Sequence, residues 1–133
     1  MSAHDTLISI LENAGNTMNI DDLRRKLSRS GALGFGVESD DVIIAAASQG
    51  LISYNTSTET VSLVPESMRF ESERKVLITF LHRHNVAGLS AAEDALRESC
   101  QLGWHVEPRT VIWYLSRTDK IRYNRAAGTI SLP

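Results

Sequence analysis

The stretch LGFGVESDDVI (Leu33–Ile43) returns as LGWHVEPRTVI (Leu102–Ile112), 69 residues further along the chain. Leu, Gly, Val, Glu, Val and Ile are kept. Phe35 becomes Trp104, and Ser39-Asp40-Asp41 becomes Pro108-Arg109-Thr110. Extended without a gap, the match pairs residues 6–64 with 75–133 and contains 15 identities in 59 positions. Conservative pairs such as Ile8/Leu77, Leu11/Phe80 and Val61/Ile130 add to it. The far end is as clear as the middle: ISYNTSTETVSL (52–63) against IRYNRAAGTISL (121–132). Two such blocks in one register point to an internal duplication. The 133 residues then divide into two expected domains, 1–66 and 67–133, joined near PESMRFESER (65–74).

Each copy has the same order of apolar patterns. Leu7, Ile8, Leu11 and Ala14 recur at helical spacing, as do Val76, Leu77, Phe80 and Leu81. A short extended piece follows, TMNI in one copy and VAGL in the other. A second helix comes next, with Leu23 and Leu27 inside. In the second copy Ser90-Ala91-Ala92-Glu93 reads as a capping box at its start. Gly31/Gly34 and Gly103 mark a turn. A third helix begins after Glu38 or Glu107, with Pro108 at a first position that needs no N–H partner. LISYN…TVSLV and KIRYN…TISLP each alternate around a polar tip, which predicts a hairpin. Phe35 and Trp104 are expected to plug the core between second helix and hairpin. Tyr54 and Tyr123 are expected against the third helix, and Met68 and Phe70 between the domains.

Three helices and a hairpin, twice, give a mainly α fold with small β-hairpins (α+β). The order, with the runs VIIAAASQGLISYN and VIWYLSRTDKIRYN, resembles the winged-helix superfamily and implies two tandem winged-helix domains. The tandem arrangement is similar to the kleisin-binding subunit of bacterial condensin and to small subunits of membrane-sorting complexes. The resemblance implies DNA binding, RNA binding or protein scaffolding, and fold alone does not choose among them.

Charge is distributed unevenly. The net charge is −2, but residues 1–66 hold 4 basic and 9 acidic side chains (−5), and residues 67–133 hold 10 and 7 (+3). On the third helix of the second copy, Arg109, Trp113 and Arg117 fall at i, i+4 and i+8, opposite a core face of Val111, Ile112, Tyr114, Leu115 and Thr118. Lys120, Arg122 and Arg125 extend the basic set to the wing. Guanidinium groups beside an indole suit phosphate contact and stacking. The same wheel on the first copy exposes Asp40, Ile44 and Ser48, with Asp41 and Ala47 beside them. Nothing there attracts a phosphate, so this face is expected to bind a partner protein or a second chain. The basic residues of the first copy, Arg24, Arg25, Lys26 and Arg29, lie on its second helix and read as a solvated face.

No sign of catalysis emerges. His82 and His84 point about 200° apart on a helix and cannot clamp one metal. Cys100 and His105 add no recognised ligand spacing. Cys100 replaces Gly31 and has no base assigned to it. There is no phosphate-cradling loop after a strand and no nucleophile-base pattern. One cysteine, no basic and apolar leader and no apolar run of about 18 residues suggest a cytoplasmic protein off the membrane. No cofactor and no metal are expected. The expected function is a non-enzymatic nucleic-acid-binding regulatory or architectural protein, with DNA preferred over RNA as its ligand. The alternative is a protein-interaction scaffold in which both winged helices bind proteins.

Overall fold

The computed structural model describes residues 2–133. Their architecture is α+β: six α-helices and two three-stranded antiparallel sheets. In chain order these are α1 (Ala3–Asn13), β1 (Thr17–Asn19), α2 (Ile20–Arg29), α3 (Ser39–Ser48), β2 (Ile52–Asn55) and β3 (Thr60–Leu63). After a 3-10 turn at Glu66–Met68 come α4 (Glu71–His84), β4 (Val86–Gly88), α5 (Leu89–Glu98), α6 (Pro108–Arg117), β5 (Arg122–Asn124) and β6 (Thr129–Ser131). Contacts divide the chain into two compact units. The first runs to Arg69 and includes Gly103–His105; the second comprises Phe70–Leu102 and Val106–Pro133.

In the first unit the sheet order is β1-β3-β2, with Met18 opposite Val61 and Tyr54 opposite Val61 across the two pairs. Leu7 and Leu11 of α1, Ile20, Leu23 and Leu27 of α2, Ile43 and Ala46 of α3, and Ile52 and Val61 of the sheet form its core. In the second unit the order is β4-β6-β5, and Tyr123 faces Ile130. Its core joins Leu77, Leu81, Ala92, Leu96, Val111, Ile112, Leu115, Ile121 and Ile130. Each fully buried Leu or Ile contributes about 1.5–3 kcal/mol of transfer free energy.

Burial corrects the register of the first helix. The buried pairs are Leu7 and Leu11 in α1 and Leu77 and Leu81 in α4, so equivalence there runs at 70 residues rather than 69. Phe80, which the ungapped match pairs with Leu11, is only half buried. The missing residue lies in the turn after the helix. Gly15 and Asn16 both take positive φ after α1, whereas Asn85 does so alone after α4. From Asn16/Asn85 onward the 69-residue spacing holds.

Several retained letters then acquire a local reason. Ser30 Oγ donates to Leu27 O at 2.6 Å and accepts from Ala32 N; Ser99 Oγ does the same with Leu96 O at 2.6 Å and Gln101 N. Asn55 Oδ1 accepts from Ser57 N and Thr58 N at the tip of one hairpin, and Asn124 Oδ1 from Ala127 N at the other. These short side chains stand in for backbone partners in tight turns. Five left-handed positions also recur at the same spacing: Asn16/Asn85, Gly31/Cys100, Gly36/His105, Gly50/Asp119 and Glu59/Gly128. Cys100 and His105 therefore sit in backbone wells that Gly31 and Gly36 fill at the equivalent positions, at a steric cost glycine does not incur.

Other expectations need revision. Phe35 is no core plug; it is fully exposed, at 107% of its reference area. Trp104 is half buried and belongs with the first unit, where its ring meets Tyr54 at a centroid distance of 4.8 Å. Phe70 is buried in the second core, edge-on to Tyr114 at 5.4 Å, while Met68 is exposed. Thr118 lies on the surface rather than in the core face; its hydroxyl donates to the Tyr114 carbonyl. Ser90 does not cap: α5 starts one residue earlier, at Leu89, with Gly88 as its N-cap and no side-chain cap bond. Pro108 does open α6, as its fixed φ favours.

Candidate nucleic-acid interface

On the second unit all six expected contact residues are exposed. Arg109, Trp113 and Arg117 project from α6, Lys120 from the turn after it, Arg122 from β5, and Arg125 from the hairpin tip. Arg117 lies in the last turn of α6, where a cation is favoured by the helix dipole. Trp113 is 43% exposed and leans on Tyr123, ring centroids 5.8 Å apart. Together with Leu89, Ile112, Ser116 and Tyr123 it lines a closely packed apolar spot with no room for a water molecule. The contact with Tyr123 joins α6 to β5 while part of the indole stays open to solvent.

Arg109 differs from the other cations. Its Nε donates to Glu93 Oε1 at 3.0 Å, tying α6 to α5. Glu93 is 8% exposed and also faces Arg97, 3.6 Å away. A carboxylate buried this far needs cations to offset its lost hydration. Arg117, Lys120, Arg122 and Arg125 have no ion-pair partner among the described residues. Exposed and unpaired, they have no internal ion pair to give up before contacting an anion.

The equivalent face of the first unit is chemically opposite. Position by position, Arg109, Trp113, Arg117, Lys120, Arg122 and Arg125 correspond to Asp40, Ile44, Ser48, Leu51, Ser53 and Thr56. Residues 107–125 carry five cations and two carboxylates (+3), and residues 38–56 carry three carboxylates and no cation (−3). The expected partner-binding residues there are largely engaged inside the unit. Asp40 Oδ1 accepts from Arg24 Nε at 2.6 Å, tying α3 to α2, and Asp21 holds the same guanidinium at 2.7 Å. The hydrogen bond to Asp40 raises the already high pKa of Arg24, so this guanidinium stays charged. Asp41 Oδ2 accepts from Glu38 N at 3.0 Å and completes a capping box on α3. Ser48 Oγ donates to Ala45 O, Ile44 is half buried and Ala47 is fully buried, so this helix presents less apolar surface than its wheel suggests.

Two residues of this network carried a different reading in the sequence. Arg24 looked like a solvated charge on the second helix, and Glu93 looked like a cap. The signal that identifies them is positional: 24/93 and 40/109 are equivalent pairs, and both reverse sign together. Among the described residues no group of His, Cys, Asp and Glu is placed to hold a metal ion, and no helix is long and apolar enough to cross a membrane. Comparison with protein-family models, with characterised proteins and with solved structures finds no match to this chain.

Proposed function

We propose that the chain is a non-enzymatic, tandem winged-helix nucleic-acid-binding protein that docks duplex DNA with α6 and the β5–β6 hairpin of its second unit. One observation carries this reading: six equivalent surface positions hold five cations and an indole in the second unit and no cation in the first, on the same order of elements. In this mode α6 lies in the major groove and the hairpin follows the backbone. Arg117, Lys120, Arg122 and Arg125 supply phosphate contacts, and Trp113 packs on sugar or base edges. Arg109 contributes less, since Glu93 already holds it.

The test is fluorescence anisotropy with random-sequence duplex DNA across a salt series. Four phosphate contacts give a log–log salt slope of roughly −3 to −4. Arg122→Glu/Arg125→Glu is expected to abolish binding at physiological salt, whereas Ser53→Glu/Thr56→Glu on the first unit leaves it unchanged. Absence of binding at low salt sinks the proposal. A second reading, a protein-interaction scaffold, is favoured by the fully exposed Phe35 with the exposed Val37 beside it. It predicts a protein ligand whose affinity is nearly insensitive to salt and is lost in Phe35→Ser.

A further inference from the structure

The α4–α5 face of the second unit bears a groove that the nucleic-acid reading does not use. It consists of two adjoining hollows of about 400 and 370 Å³ that share Phe80, His84 and Ala95. The floor is apolar: Val76 and Phe80 from α4, Ala91 and Ala95 from α5, with Val86 at one end still 56% exposed. Small alanines on one wall and a half-buried phenylalanine on the other leave room for side chains to enter. The rims are charged and opposite. Lys75, Arg83 and His84 stand on the α4 side, and Asp94 and Glu98 on the α5 side. Lys75 has Glu71 at 3.6 Å and Asp94 has Arg97 at 3.2 Å. Arg83 and Glu98 have no ion-pair partner among the described residues.

The second helix of the first unit differs at the equivalent positions. At the positions of Ala91 and Ala95 it has Asp22 and Lys26, and at those of Asp94 and Glu98 it has Arg25 and Arg29. This helix is therefore polar where α5 is apolar, so α2 does not repeat the floor or the acidic rim that α5 supplies.

We propose that this groove is a self-association surface occupied by the same groove of a second copy of the chain. The charge pattern selects that occupant. A two-fold axis along the groove lays the α4 rim of one copy over the α5 rim of the other, so basic meets acidic twice and the apolar floors close on each other. Turning the axis by 90° opposes like charges, which disfavours the alternative packing. The groove shares no residue with the basic face of α6 and the hairpin, so a dimer presents two such faces.

Sedimentation velocity on the full chain, from micromolar to sub-millimolar concentration, tests this without DNA. The native chain is expected to dimerise. Lys75→Glu/Arg83→Glu makes both rims acidic, and Asp94→Lys/Glu98→Lys makes both basic; each variant alone is expected to be monomeric with unchanged circular dichroism. An equimolar mixture restores the dimer, because every acidic rim then meets a basic one. Ala95→Arg, which fills the floor, gives a monomer that no mixture rescues. A monomeric native chain, charge variants that still dimerise, or a mixture that stays monomeric would each overturn the proposal. None of these outcomes bears on whether the second unit binds DNA.

Discussion

In the first unit an arginine on α2 is held between two aspartates; in the second a glutamate on α5 is held between two arginines. The bridging positions, 24/93 and 40/109, are equivalent, and the bond joins second helix to third helix in both. Only the signs are exchanged. The third members, Asp21 and Arg97, come from different turns of their helices, so the exchange preserves the bridge while moving its support. A reversed charge on the third helix of a unit is thus not by itself a sign of a different ligand. Where the reversal is matched across the helix pair, it is internal bookkeeping of the fold. Where neutral Ser48, Leu51, Ser53 and Thr56 give way to unpaired cations, nothing inside the unit accounts for it.

The largest expected effect tests the one-residue slip between the first helices. If Leu81 rather than Phe80 is the equivalent of Leu11, Leu81→Ala leaves a closed cavity and costs about 2–5 kcal/mol in denaturant unfolding. Phe80→Ala, measured at a concentration where the chain is monomeric, costs less than half as much, because Phe80 keeps one face toward solvent. Equal costs would restore the ungapped register.

That slip also marks how far the sequence could be read. Element order was legible throughout, because 3.6-residue periodicity, turn glycines and the paired Tyr-Asn hairpin starts repeat in register. The slip was not, since Val76-Leu77 and Phe80-Leu81 offer two adjacent apolar pairs and only burial distinguishes them. The exposed face of α6 was legible from helical geometry, whereas the pairings of Arg109 and Asp40 required the distance between two helices. Phe35 defeated the reading for a different reason. Its loop carries glycines on both sides, Gly34 and Gly36, and an apolar letter there says nothing about which way the backbone turns it.

The bridge itself supplies the next prediction. Glu93→Arg places three guanidinium groups together at a nearly buried position and costs about 1–3 kcal/mol. Adding Arg109→Asp rebuilds the two bridging positions of the first unit, with Arg97 still beside them, and recovers part of that loss. The same cycle on Arg24 and Asp40 yields a coupling of about 1 kcal/mol or less, because both side chains are more than a third exposed. Failure of the second-unit double variant to recover stability would mean that the two bridges are not interchangeable.

A smaller effect separates the two units at their shared left-handed turn. Cys100 (φ 58°) occupies the well that Gly31 (φ 74°) fills in the first unit. Cys100→Gly relieves that strain and is expected to stabilise the chain by about 0.5–1 kcal/mol, less than the full steric penalty because glycine also loosens the unfolded chain. Gly31→Ala is expected to destabilise by a similar amount, although no atom lies near the added methyl. Opposite signs at equivalent positions are the required result.

The smallest effect concerns a carboxylate that the first unit does not have. Glu73 lies in the first turn of α4, 7% exposed, where the corresponding residue of α1 is Ala3. Burial raises its pKa above the ordinary carboxylate value, against the weaker opposing effect of a hydrogen bond to its own backbone. The folded chain therefore holds this proton more tightly than the unfolded one. The resulting stability is fully present below the unfolded pKa and is lost as pH rises through the folded value. Glu73→Gln, neutral at every pH, should match the native chain in acid and exceed it at neutral pH by on the order of 1 kcal/mol or less. Thermal unfolding of both proteins from acid to neutral pH reads that difference. Curves that stay parallel across the range would mean that Glu73 finds hydration enough to ionise freely, and that the two first helices differ in sequence there without differing in energy.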